Sequence, residues 1–211
     1  ADIEIAGPGF INIKLSNSAL IKNIKLILEN NKKYGSFKSN KTYNIEFVSA
    51  NPTGPMHVGH CRGAIYGDVL ANLLKFNGNK VTKEYYINDY GNQIKNFVQS
   101  VHHRIIEIKE KKTFPNKENL YPGEYIKDIA KNILSENKEL NLNDFDKNFD
   151  FLKEKSLEAS MNLIKDDLKK LGISHDNFLS ETDIVNKNMV DKAINNLKKK
   201  NYVEEGYLDP P

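Results

Sequence analysis

The sequence has little of what membrane and secreted proteins depend on. Its 211 residues include one cysteine, Cys61, so an internal disulfide and a cysteine-rich zinc site are both excluded, and a reducing cytosol is the expected compartment. No segment approaches the ~18 unbroken apolar residues that a membrane-spanning helix needs. The opening ADIEIAGPGF lacks a basic region followed by an apolar run, so we expect no signal peptide there.

The charge balance is also modest. Hydrophobic residues make up 39% and charged residues 28% of the chain, which is typical of a soluble globular protein. A net charge of +3 does not demand a nucleic-acid partner, although clustered lysines would permit one. The chain opens on an alternating segment without an initiator methionine and stops at GYLDPP. We therefore expect a fragment of a longer protein, and a native gene that encodes only these residues would contradict this.

The middle of the chain predicts a strand–loop–helix–strand unit. Apolar and polar residues alternate over 42–49, which indicates a strand, and ANPTGP after it is a loop. A helix is expected from His57 to a stop at Gly78, followed by a second strand over 80–88. This order builds parallel sheets and places ligands at the carboxyl ends of the strands.

The flanking segments follow from the same periodicities. Residues 1–15 predict two short strands around the turn GPG, and Ser16 or Asn17 is the expected cap of the next helix. His102 and His103 lie beside polar positions, so we expect both to be solvated. The remaining predictions are a helix carrying Ile94 to Ile105, helices near 123–135 and over 150–171, a short strand within 173–182, a last helix capped by Asp183 or Asn186, and a hairpin arm over 201–208.

Two imidazoles stand three residues apart in His57-Val58-Gly59-His60, at the predicted helix start. Residues at i and i+3 share one face of a helix, and a helix N-terminus favours anions through its free N–H groups and its dipole. Gly59 removes a side chain and would let a flat ring approach the backbone. These parts suit a nucleotide triphosphate. A metal pair without an evident third ligand and two surface histidines are the alternatives, whereas a P-loop is excluded because no Gly-Lys-[Ser/Thr] follows a strand.

A longer stretch narrows these alternatives. EFVSANPTGPMHVGHCRGA resembles the nucleotide-binding signature of class I aminoacyl-tRNA synthetases, in which the tetrapeptide opens the first helix of a Rossmann-type catalytic domain. Together with EYYINDYGNQI, it more narrowly resembles the arginyl-tRNA synthetases over roughly residues 44–95. The opening AGPGFINIKL is similar to the end of that family's N-terminal extra domain. The tail FLSET…YVEEGYLDPP is similar to the segment between its two catalytic half-domains.

The resemblance implies the residues of a site. His57, Gly59 and His60 match the tetrapeptide that contacts ATP in this family, and both histidines would be catalytic because they stabilise the pentavalent phosphorus transition state. No metal bound by the protein alone is expected, since Mg²⁺ would accompany the phosphates of ATP. The expected arginine contacts are Glu46, Ser49, Asn51 and His57.

Residue chemistry agrees with two of these roles. A guanidinium favours a carboxylate in bidentate geometry, and Glu46 lies near the carboxyl end of a predicted strand. Asn51 offers both a donor and an acceptor to the charged ends of an amino acid. Without the resemblance, Glu46 would be a solvent-facing strand residue and Asn51 a turn former before Pro52.

Several polar residues are weaker candidates. Asp89, Asn92 and Gln93 follow the second predicted strand, where lining a pocket and forming a turn are about equally expected. Arg62 follows the tetrapeptide and would contact phosphate or remain a surface cation. The lysine runs 109–112 and 198–200 would meet tRNA phosphates or be solvated faces.

The expected fold class is α/β: a Rossmann-type nucleotide-binding half-domain, a parallel β–α–β carrying the His-x-Gly-His helix, plus a mostly helical insertion. Residues 1–40 would end the N-terminal extra domain, 41–110 would form the first half of the catalytic domain, and 111–211 would continue as helices into a truncated connective insertion. The resemblance implies a cytoplasmic, monomeric arginine–tRNA ligase acting on L-arginine, ATP and tRNA(Arg), without a membrane. The alternatives left open are another class I synthetase or related nucleotidyltransferase, and a non-catalytic RNA-binding module.

The family's second signature, a Lys-rich loop that clamps pyrophosphate, is not found in this sequence. We therefore predict that the purified 211-residue chain does not aminoacylate tRNA by itself. The measurement is arginylation of tRNA by the chain alone, and measurable product would refute the prediction.

Overall fold

A computed structural model describes residues 2–138, 141 and 143–207 of the chain. The chain forms two compact units. The first comprises residues 1–42 and 74–80, and the second comprises residues 43–73 and 81–211.

The first unit holds the predicted hairpin and helix. Strands β1 (Asp2–Ile5) and β2 (Ile11–Lys14) pair antiparallel, with Ile3 opposite Ile13. The Ser16 hydroxyl caps α1 (Asn17–Asn30) by accepting a hydrogen bond from the Ala19 N–H at 3.3 Å. A 3₁₀ turn, Asn31–Lys33, follows. None of the described residues of these two strands or of α1 is buried, so their isoleucines and leucines form an exposed apolar surface.

A parallel sheet with the order β3–β4–β5 forms the base of the second unit. The Lys80 N–H donates to the Lys41 carbonyl, and further along the Phe47 N–H donates to the Glu84 carbonyl. The first two strands of this sheet therefore run in the same direction. The predicted β–α–β unit is therefore confirmed, and Gly78, at a φ of +80°, stands just after its helix as predicted. The elements are β3 (Thr42–Glu46), α2 (Val58–Phe76), β4 (Lys80–Ile87) and β5 (Asn177–Ser180).

Three helices build the larger core of this unit: α3 (Asn92–Glu110), α4 (Glu124–Glu136) and α5 (Phe145–Lys170). Their apolar faces meet in one cluster that includes Phe97, Ile126 and Leu152. The longest of them begins earlier than its predicted start at 150, because Asp144 caps it by accepting a hydrogen bond from the Lys147 N–H at 3.2 Å. No helix among the described residues is both long enough and apolar enough to span a bilayer.

Three predictions outside the sheet are wrong. The single last helix is two, α6 (Glu181–Asn186) and α7 (Met189–Lys199), separated by Asn188 in a left-handed conformation. Residues 201–207 form no strand, and position 208 of the predicted hairpin arm lies outside the described residues. His102 is buried rather than solvated, with its ring 5.3 Å from that of Phe145, and His103 is half-buried.

Helix α2 lies against the sheet through a glycine. A β-carbon added at Gly67 would stand 2.6 Å from Cδ2 of Phe47, and closer still to Cγ and Cβ of that ring. Real atoms do not approach so closely, so the helix contacts the sheet with its backbone. A second core cluster surrounds this contact, with Tyr85 from β4 and Ile164 from α5.

A buried ion pair also joins α2 to the sheet. The Lys83 ammonium on β4 lies 2.5 Å from Oδ1 of Asp68 and 3.0 Å from Oδ1 of Asn72, both on α2. The two charged side chains are only 9% and 15% exposed. Removing either partner would leave the other charge unpaired in the core, which is costly. The pair therefore favours the rotation of α2 that brings Asp68 to Lys83.

We predict that Gly67→Ala lowers the free energy of unfolding by about 1–3 kcal/mol, because the added methyl group overlaps the Phe47 ring. Gly63→Ala, one turn earlier on the same helix, is the matched control, since its β-carbon would meet nothing within 4 Å. It should stabilise the protein by up to about 1 kcal/mol through helix propensity alone. Urea unfolding measures both changes, and equal effects of the same sign would contradict the prediction.

Candidate active site

The carboxyl ends of the three parallel strands meet at one edge of the sheet. Strand β3 ends at Glu46, β4 at Ile87 and β5 at Ser180. In sheets of this type the side chains just beyond these ends surround the ligand. The predicted site residues after β3 therefore lie in the expected place.

A left-handed turn follows β3. Val48 and Ser49 have φ angles of +69° and +40°, which are uncommon for residues other than glycine and cost about 1–3 kcal/mol each. Hydrogen bonds hold the turn: the Ser49 N–H donates to the Phe47 carbonyl at 3.0 Å, and the Ser49 hydroxyl accepts from the Tyr86 N–H at 3.1 Å. The same hydroxyl donates to Oε1 of Glu46 at 2.5 Å. Ser49 thus fixes the Glu46 carboxylate, and no sequence periodicity predicted this turn.

Two tyrosines fasten the loop that leads into α2. The Tyr85 hydroxyl donates to the Ala50 carbonyl, and the Tyr125 hydroxyl donates to the Thr53 carbonyl, both at 2.8 Å. Burial raises the pKa of Tyr85, and burial raises the pKa of Tyr125 to about 12, so both phenols stay protonated as donors. Since Pro52 is also buried, the loop is held from three directions.

The two histidines of the tetrapeptide stack on each other. Their ring centroids are 3.7 Å apart with an interplanar angle of 20°. The Gly59 N–H donates to Nδ1 of His57 at 3.1 Å, and the His57 N–H donates to Nδ1 of His60 at 3.3 Å. Because both Nδ1 atoms accept, the ring protons lie on the two Nε2 atoms, which remain available as donors. Burial, and secondly the neighbouring His57, lower the pKa of His60, so its imidazole is neutral at pH 7.

Gly59 lies directly against the His57 ring. A β-carbon at this position would lie 3.0 Å from Cε1 and 3.1 Å from Nδ1 of the His57 ring. The absent side chain therefore leaves room for an imidazole of the protein. The sequence had predicted the close approach of a flat ring, and the ring that this structure places there is His57.

A cavity of about 330 Å³ brings Asn51, His57 and His60 together. Glu46 and Ser49 do not line it, although they follow the same strand. Tyr121 and Tyr125 close the far wall, and sequence reasoning missed both. Tyr121 is positioned by its backbone N–H, which donates to the Ser100 hydroxyl on α3 at 2.9 Å. The full lining is Asn51, Thr53, Gly54, Pro55, His57, His60, Tyr121 and Tyr125.

Gln93 joins the site through Asn51. The Asn51 Nδ2 donates to Oε1 of Gln93, in the first turn of α3, at 3.2 Å. This contact uses Nδ2 of Asn51, so its Oδ1 can accept a hydrogen bond from a ligand in the cavity. Gln93 was a weak candidate from sequence, and the structure places its side chain against that of Asn51.

Three carboxylates act on the Tyr86 hydroxyl. Burial, then the charge and hydrogen bond of Glu181, then Asp89 and Glu46 raise the pKa of Tyr86. Asp89 also ties β4 to α6, because its carboxylate accepts from the Ser180 hydroxyl at 2.6 Å and from the Thr182 N–H at 2.8 Å. The edge of the sheet is therefore negative. Glu181 was not predicted as a site residue, since its proximity depends on the pairing of β5 with β4.

The remaining candidates contribute less. Arg62 and Asn92 are exposed, and Cys61 is half-buried on α2. Within the described parts of the chain, no group of three or more His, Cys, Asp or Glu side chains is arranged to hold a metal ion.

A parallel β–α–β unit with stacked imidazoles at its helix start and polar groups at the strand ends defines a Rossmann-type nucleotide-binding protein. Residues 23–207 match the family described as tRNA synthetases class I (R), catalytic domain. The chain therefore belongs to the class I arginyl-tRNA synthetase family, and the resemblance seen in the sequence is confirmed.

Curated relatives agree with this family assignment. The chain is 52% identical to the arginine–tRNA ligase of Pelagibacter ubique (strain HTCC1062) and 43% identical to that of Anaplasma phagocytophilum (strain HZ). Each match covers 99% of this chain, but only 37% and 36% of the relative. The chain thus spans little more than a third of the length of these proteins.

Solved structures share the fold. A Campylobacter jejuni structure, provisionally named an arginyl tRNA synthetase, has a TM-score of 0.78 and 32% identity over 91% of this chain and 42% of that one. The arginyl-tRNA synthetase of Plasmodium falciparum has a TM-score of 0.60 at 22% identity, over 97% of this chain and 37% of that one, which supports the fold alone.

We predict that Tyr125→Phe lowers the free energy of unfolding by about 1 kcal/mol at neutral pH, since the Thr53 carbonyl loses its donor. The pKa of this tyrosine rises from 10.0 to about 12 on folding, so its contribution is complete below pH 10 and is lost as pH rises through about 12. The difference between wild type and variant should narrow over that range in urea unfolding. Tyr66→Phe, at a tyrosine that is 73% exposed, is the control and should change stability by less than about 0.5 kcal/mol. A constant difference at every pH would contradict the prediction.

Proposed function

We propose that this chain provides the ATP-binding and arginine-binding half of an arginine–tRNA ligase. Such an enzyme activates L-arginine with ATP to arginyl-adenylate and transfers the arginyl group to tRNA(Arg) in translation. The observation that carries the proposal is the cavity that gathers Asn51, His57 and His60 beside the negative edge of the sheet.

The stacked histidines suit ATP. Their Nε2–H groups are donors at the start of α2, where the helix dipole adds positive potential. Neither ring needs to act as a base. Donors held in place before the reaction stabilise the charge that grows on the α-phosphate in the transition state, and Gly59 keeps the His57 ring in position.

The other half of the site suits arginine. The carboxylates of Glu46, Asp89 and Glu181 provide the negative charge that a guanidinium requires. Ser49 holds Glu46 in place, and Oδ1 of Asn51 can accept from the amino group of the substrate. Arginine is therefore complemented at its guanidinium and at its amino group.

The reaction then depends mainly on positioning and charge stabilisation. A carboxylate oxygen of arginine attacks the α-phosphorus of ATP, and the bond to pyrophosphate breaks. The 2′-hydroxyl of the terminal tRNA ribose next attacks the arginyl carbonyl, and AMP leaves. Mg²⁺ bound to the phosphates of ATP would neutralise part of their negative charge.

Further assignments belong to the same proposal. Residues 1–40 would end an N-terminal extra domain, 41–110 would be the first half of the catalytic domain, and 111–211 would begin the connective insertion. The lone cysteine supports a reducing cytoplasm, and the proposed protein is a monomer.

The test is arginine-dependent ATP–pyrophosphate exchange by the full-length protein, with tRNA present because enzymes of this family usually need it. We predict that His57→Ala and His60→Ala each reduce kcat by roughly 10²–10³-fold, as expected for losing a transition-state donor. Glu46→Gln should raise KM for arginine by roughly 10- to 100-fold, the effect of losing a charged hydrogen bond. Glu118→Gln, an exposed residue outside the site, is the control and should change neither value.

Two outcomes would overturn the proposal. Exchange with another amino acid, and none with arginine, would point to a different class I synthetase. Full activity of the full-length protein with both His57→Ala and His60→Ala would show that these histidines do not support the reaction. This chain would then be better described as a non-catalytic RNA-binding module.

A further inference from the structure

His175 lies outside the cavity, in the connection between α5 and β5. It is half-buried among the aromatic rings of Phe47, just after β3, Tyr85 on β4 and Phe178 on β5. Its ring centroid is 4.2 Å from that of Phe47, 5.3 Å from Tyr85 in an edge-on contact, and 5.7 Å from Phe178. The imidazole therefore touches the residue from which the left-handed turn begins.

The polar atoms of this ring have unequal surroundings. Nε2 lies 3.3 Å from the Phe47 carbonyl, whereas Nδ1 is buried and has no hydrogen-bond partner among the described residues. A neutral imidazole carries one proton, and only a proton on Nε2 makes the contact with the carbonyl a hydrogen bond. The Phe47 carbonyl then accepts from two donors, the His175 ring and the Ser49 N–H at 3.0 Å.

That carbonyl is the last backbone group before Val48 and Ser49, whose left-handed conformations are unfavourable by themselves. We propose that His175 is a positioning residue for the arginine side of the site. Its Nε2–H holds the Phe47 carbonyl, which fixes the turn that sets the Ser49 hydroxyl against the Glu46 carboxylate and starts the loop carrying Asn51. The effect on arginine rests on the proposed function, whereas the effect on the turn does not.

Burial favours the neutral form of His175. Burial lowers its pKa, and Lys83 lowers it further, whereas the Phe47 carbonyl, Asp68 and Asp176 act in the opposite direction. A second proton would reside on Nδ1, in a buried position without an acceptor. Because the folded pKa lies below the unfolded value of 6.5, the stability this ring contributes is complete above pH 6.5 and declines as pH falls below it.

Two substitutions separate the donor from the ring. His175→Phe keeps an aromatic ring against Phe47 but removes the N–H, and His175→Gln keeps an N–H donor but removes the ring. In the full-length protein, we expect His175→Phe to raise KM for arginine by roughly two- to tenfold, the effect of losing one hydrogen bond, with KM for ATP unchanged. We expect His175→Gln to be less stable but to retain a KM for arginine within about twofold of wild type. His103→Phe, at another half-buried histidine beside a phenylalanine, is the matched control and should leave both KM values unchanged.

Hydrogen exchange of the Ser49 amide in the 211-residue chain provides a second readout that needs no activity. Exchange should be faster in His175→Phe and close to wild type in His175→Gln. Unchanged exchange and an unchanged KM for arginine in His175→Phe would overturn the proposal, as would the same rise in KM in both variants, because the role would then be packing alone. If the wild-type protein has no arginine-dependent activity, the proposed function fails, and the exchange rates still decide whether His175 holds the turn.

Discussion

The close approach of α2 to Phe47 is the constraint on which the rest of the structure depends. Because Gly67 has no side chain, the helix backbone rests on the phenylalanine ring, whose other contacts include the His175 imidazole at 4.2 Å. The same residue directly follows the last residue of β3 and directly precedes the left-handed turn at Val48 and Ser49. One side chain thus determines the height of the helix above the sheet, while its backbone determines the direction in which the chain leaves the strand. The height of the helix places the stacked histidines at the start of α2. The direction of the chain after β3 places the loop beyond the Glu46 carboxylate.

Sequence reasoning recovered the parts that depend on local pattern. Alternation predicted β3, helical spacing predicted α2 and α3, and Gly78 predicted the stop between α2 and β4. The tetrapeptide also predicted that the two histidines lie on one side of the helix start, because residues three apart share a helix face, although the stacking of their rings was not predicted. These features are encoded within a few residues of each other, so a single sequence contains the information.

The parts that were missed depend on contacts across long stretches of chain. Tyr125 reaches the Thr53 carbonyl from a different helix, and Glu181 reaches Tyr86 only because β5 pairs with β4. His102 is buried because α5 brings Phe145 to it, although its neighbours in sequence are polar. The division of the last helix depends on the backbone angle of Asn188, which no periodicity describes. Sequence periodicity therefore predicted the helices and strands, whereas tertiary packing determines which residues complete the site.

The buried pair of Lys83 and Asp68 has a consequence for how this sequence can diverge. Replacing one partner leaves a charge without a counter-ion in the core, whereas replacing both with apolar residues of similar volume is often neutral or stabilising. The two positions are separated by about two helix turns, a loop and the start of a strand, yet we expect them to change together in evolution. Lineages of this family should therefore carry both charges or neither, and an intermediate with one charge would be the least stable step between them.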